Sequence, residues 1–114
     1  MRSIIIAASL PVSLALALPV AAGDAAKGRT YFEDRCAKCH SFNPGASDKR
    51  GPHLAGLLER RYGAVEGFPY RMVWTDANPL WTREHLNNYL EIHGVFEAGD
   101  RDDLIEYLVE ATGK

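Results

Sequence analysis

Two cysteines, two methionines and four lysines are all that the 114 residues contain, and each shortage narrows what the chain can be. A tetrahedral zinc site needs four ligands, yet only Cys36 and Cys39 offer thiolates, and no two histidines stand at finger spacing. No alternation of apolar and polar residues marks a strand, so the βαβ setting of a dithiol redox motif is missing as well. Charge of neither sign dominates: 13 basic against 15 acidic residues give a net charge of −2. That balance argues against a nucleic-acid partner.

What the two cysteines do form is specific. Cys36-Ala37-Lys38-Cys39-His40 is a C-x-x-C-H run, the attachment signature of a c-type haem. Thiols three positions apart on a helical turn add across the two haem vinyl groups. The imidazole of His40 then lies beneath the ring as its fifth ligand. A structural disulfide between Cys36 and Cys39 would give no reason for the adjacent histidine. The sequence therefore predicts one haem c, held covalently.

Residues 1–22 read as a signal peptide. Arg2 gives a positive start, Ile4 to Leu18 is apolar apart from Ser and Pro, and Val20-Ala21-Ala22 offers a small-residue cleavage site. Pro11 and Pro19 interrupt the apolar stretch, so membrane association is expected only if this segment is retained. Export implies a bacterial periplasm or an equivalent space, where c-type haem is attached. Removing residues 1–22 leaves a 92-residue domain over 23–114, with 12 basic against 15 acidic residues, a net charge near −3. So small a chain has limited apolar surface to bury, and a haem would supply part of its core.

The remaining pattern is helical. Asp24 is suited to cap a helix running to about Cys36, on which Ala25, Gly28, Phe32 and Cys36 share a face. Asn43 to Gly51, including Asp48, is turn material. A short helix is predicted from Leu54 to about Arg60, then an irregular stretch from Tyr62 to Leu80. Thr82 opens a helix whose apolar positions Leu86, Tyr89 and Leu90 continue in phase to His93, with Gly94 as its stop. Asp100 is expected to cap a last helix that buries Leu104, Ile105, Tyr107, Leu108 and Ala111 and turns its acidic residues mostly to solvent.

Over nearly all of residues 23–114 the chain resembles the small class I cytochromes c. Gly23-Asp24-Ala25-Ala26-Lys27-Gly28, Phe32 and Cys36 to His40 match the family's first helix and haem peptide, and Gly51-Pro52-His53-Leu54-Ala55-Gly56-Leu57 matches its second signature. The resemblance implies an all-α fold in which the terminal helices cross, with Gly28 meeting Tyr107, and further short helices surround the haem. It implies that the Pro52 carbonyl accepts a hydrogen bond from His40, and that Arg60, Tyr70 and Trp81 hold the haem propionates. Guanidinium, phenol and indole donors suit buried carboxylates.

One family feature is missing. The methionine that usually serves as sixth iron ligand, in a loop before the last helix, has no counterpart between Tyr89 and Arg101. Three replacements stay open: His93, in the matching stretch; Met72, which follows Tyr70; and no protein ligand at all. His53 and His85 are read as packing and surface residues. A six-coordinate iron exchanges electrons and little else, so the expected function is a monomeric periplasmic electron carrier between redox proteins, not an enzyme. The alternatives are a haem protein that binds or senses NO, CO or O2 at an open sixth site, and a haem subunit docked on a dehydrogenase or oxidase. The usual ring of lysines around a haem edge is not evident, since Lys27, Lys38, Lys49 and Lys114 are the whole set.

Overall fold

Asp24 starts the first helix as its spacing suggests: the carboxylate accepts from the backbone N–H groups of Ala26 and Lys27 at 2.9 and 3.3 Å, satisfying donors that a helix start leaves unpaired. The computed structural model describes residues 2–12, 23–45, 49–71 and 78–113. The small residues Val20-Ala21-Ala22, together with Asp48, Met72 and Lys114, lie outside them. Helix α1 spans Ala25–Arg35, a 3-10 turn spans Leu57–Glu59, α2 spans Arg83–Ile92 and α3 spans Ala98–Thr112. The architecture is all-α. Among the described residues the only β pairing is an isolated antiparallel bridge between Arg61 and Leu80.

The most extensive helix contact is α1 on α3. Gly28 makes it possible: a Cβ there would overlap the Asp103 carbonyl and press on Cβ of Tyr107, so only glycine allows this approach. Asp103 closes the same crossing by accepting from the Asp24 backbone N–H at 2.8 Å. Phe32, Leu104, Ile105 and Leu108 are buried at the interface, and the Phe32, Phe42 and Tyr107 rings pack together, with centroids 4.9 to 5.9 Å apart.

Three local expectations are revised. The stretch from Leu54 to Arg60 is helical only over Leu57–Glu59, because Gly56 takes a left-handed φ of 65° and breaks any longer run. Helix α3 begins two residues before Asp100, which sits in its first turn, where a carboxylate still opposes the positive end of the helix dipole. The acidic side chains of α3 are not all free. Arg83 pairs with Glu106 at 2.5 Å, tying α2 to α3.

The corner between α2 and α3 is held by Arg101, a buried cation that donates to the carbonyls of Val95 and Phe96 at 2.9 and 2.8 Å and to Asn87 Oδ1 at 2.9 Å. No pattern of apolar residues announces this clamp. Thr82 caps α2 by accepting from the His85 N–H at 3.1 Å, and His85, half-buried rather than exposed, donates to the Leu80 carbonyl at 2.6 Å.

Candidate functional site

Helix α1 delivers the C-x-x-C-H run directly. Past Arg35 the chain stays tightly turned, with the His40 N–H donating to the Cys36 carbonyl at 2.9 Å and Cys39 to the same oxygen at 3.1 Å. Both thiols are free and half-buried. Burial pushes the Cys36 thiol up, with Arg35 opposing the shift.

The His40 imidazole is fixed at one edge. Nδ1 donates to the Pro52 carbonyl at 2.8 Å, which leaves Nε2 with its lone pair as the metal-binding atom. Gly51 completes the seat, since a Cβ on it would press into the imidazole. The loop is anchored on both sides by Gly51 N–H to the Cys39 carbonyl at 2.8 Å and Leu54 N–H to the Ser41 carbonyl at 2.7 Å.

Cys36 and His40 face a cavity of about 960 Å3, at the upper end of the roughly 300–1,000 Å3 of small-molecule and cofactor pockets. Its walls are mainly apolar and include Phe32, Leu57, Leu86, Leu104 and Leu108, the same side chains that form the core. The core is thus built around a gap that a planar apolar group would fill. Arg60, Tyr70 and Trp81 all line it, as does Pro52, whereas Cys39 does not. The Arg60 guanidinium donates to the Ala55 carbonyl at 3.2 Å, and burial pushes its pKa down. No carboxylate pairs with it among the described residues. A half-buried cation facing such a cavity suits a group that carries its own carboxylates. Apolar volume, an oriented imidazole and a cation with no carboxylate partner among the described residues together fit a haem.

The predicted distal candidates are placed less favourably. His93 forms the C-cap of α2, is exposed, and stacks on Tyr89 with ring centroids 4.0 Å apart. It is not part of the cavity wall. The apolar face of α2 holds through Leu86 and Leu90, but its last turn carries Ile92 and His93 out toward solvent. Met72 lies outside the described residues. His53 lines the cavity, with Nδ1 accepting from the Ala55 N–H at 3.2 Å. Tyr89 and Leu90, read from sequence only as core positions, also line the cavity.

A family model for cytochrome c matches residues 25–112. A cytochrome c of Stellaria longipes is 40% identical, the match covering 79% of this chain and 94% of that protein. One of Gibberella zeae is 38% identical over 82% and 99%, and one of Arabidopsis thaliana 39% over 79% and 91%. These relatives overturn the periplasmic placement: they are plant and fungal cytochromes c, not bacterial periplasmic proteins. The run after Arg2 carries hydrophobicity, a property that different addresses share and that does not name a compartment.

Proposed function

The chain belongs to the cytochrome c family and is a monohaem electron carrier rather than an enzyme, and from that premise we propose that its iron lacks the family's usual methionine ligand. One covalent haem c is the cofactor, and redox proteins are the partners. Cys36 and Cys39 are the attachment residues and His40 the proximal ligand, oriented by the Pro52 carbonyl. Arg60, Tyr70 and Trp81 receive the propionates. When bound, the haem supplies a one-electron couple at iron. The protein's own contribution is to hold the imidazole, exclude water with the leucines of the core and balance charge with Arg60.

The observation that carries the non-methionine reading is the short connection from α2 to α3. Val95 N–H donates to the Leu90 carbonyl at 2.8 Å, Gly94 takes φ 109°, and Arg101 ties the following carbonyls. This tight turn leaves no room for a ligand-bearing loop, and residues 90–101 contain no Met. In the carrier reading His93 would hold the iron, and its exposed place outside the cavity wall means that the last turn of α2 would have to rearrange to bring it in. A specific observation favours a second reading, an iron open to small ligands: His93 is exposed and outside the cavity wall. Carbon monoxide binding by the ferrous protein separates the two. Slow binding that becomes fast in His93→Ala supports histidine ligation, and fast binding unchanged by the substitution supports the open site.

A further inference from the structure

Beyond the cavity, one corner of the molecule gathers apolar and acidic side chains at the surface. Ile92 and Phe96, four residues apart across the Gly94 turn, are 77% and 75% exposed. Tyr89 is 43% exposed and yet lines the cavity. Trp81, also a cavity residue, meets Tyr89 edge-on at 5.2 Å, and His93 stacks on the outer side of Tyr89. Three rings therefore connect the cavity wall to the surface at the turn whose two sides carry the exposed Ile92 and Phe96.

Charge sets this corner apart from the rest of the cavity rim. From Glu84 to Asp100 the chain has four carboxylates and no lysine or arginine. The next cation, Arg101, is buried and committed to backbone carbonyls and Asn87, reaching the still exposed Glu91 carboxylate only at 3.9 Å. Glu91 and Glu97 flank the apolar pair and are exposed. Elsewhere the rim is basic, with Lys49, Arg50, Arg60 and Arg71 against Glu66.

We infer that the corner between α2 and α3 is the docking surface through which electrons pass, and that its occupant is a redox protein presenting lysines or arginines around an apolar centre. The apolar pair is the kind of exposed patch that association covers. The carboxylates around it steer a basic partner and set its orientation. The inference rests on the electron-carrier reading.

The test uses the full haem-loaded chain. In the ferrous state it gives one electron to hexaammineruthenium(III) or to hexacyanoferrate(III), cationic and anionic oxidants that are reduced in the step. The rate with the cation should fall with ionic strength and that with the anion should rise. Glu91→Lys with Glu97→Lys should cut the cation rate at low salt by roughly tenfold, within the range of field-focusing effects. The same charge change at Glu59 and Glu110 should do much less. A second readout needs no electron transfer: carbodiimide cross-linking to a lysine-rimmed cytochrome c should join its lysines to Glu91 or Glu97, and Ile92→Ser with Phe96→Ser should reduce the yield. Cross-links mapping elsewhere, or equal effects of the two charge pairs, would overturn the docking corner alone. Failure to exchange electrons with either complex would instead overturn the carrier reading.

Discussion

The imidazole of His40 occupies the space where a side chain on Gly51 would lie. The adjacent Pro52 carbonyl takes the Nδ1 proton at 2.8 Å, so one dipeptide both positions the ring and fixes its tautomer. Gly51→Ala is expected to displace the imidazole and weaken its bond to iron. Stability should drop by about 1–3 kcal/mol, the usual overpacking cost, and the yield of haem-loaded protein should fall with it. Absorption spectra and thermal melts of the purified variant check both.

At the other end of the core, Gly28→Val should force α1 and α3 apart, because the added carbons would meet the Asp103 backbone. A loss of about 1–3 kcal/mol is expected, read as a lower thermal midpoint. An unchanged midpoint would show that the crossing tolerates a larger residue.

These two glycines were not equally legible. Gly28 announces itself through its place on an apolar helix face; α1 and α2 follow from their capping residues and 3.6-residue periodicity, and α3 from periodicity alone, since it begins two residues before the expected cap Asp100. Gly51 sits in a loop, where its role depends on a ring eleven residues away, and no local pattern records that. Arg101 was similarly hidden, since a buried arginine in an acidic stretch reads as a surface charge until its carbonyl partners are seen. Periodicity also misled at His93: it places the residue on the apolar face of α2, whereas at the last turn the helix end is open to solvent. The haem peptide was legible because its chemistry is packed into five consecutive residues.

Arg101→Ala should open the corner between α2 and α3. It strands the buried carbonyl of Val95, at about 1–3 kcal/mol for a buried group left unpaired, and leaves the part-buried one of Phe96 to water. Faster hydrogen exchange at residues 93–97 than in the wild type is the expected local signature.

Stability should also vary with pH through His53. Burial, with Arg60 nearby, holds its folded-state pKa below the ordinary imidazole value. As pH falls through that ordinary value, near 6.5, the unfolded chain takes up a proton that the folded chain resists, so folding weakens until the folded-state pKa is passed. His53→Asn should lose less stability than wild type between about pH 7.5 and 5.5, as measured by denaturant titrations. Parallel pH profiles would remove His53 from the account.

The most direct test is a visible and near-infrared absorption spectrum of the native ferric and ferrous protein, with a separate portion of the same sample taken through acid organic extraction. A haem c retained through extraction, and no sulfur-to-iron charge-transfer band in the native ferric protein, are expected. Free haem in the extract would contradict attachment through Cys36 and Cys39, and a sulfur band that disappears in Met72→Ala would contradict the non-methionine iron.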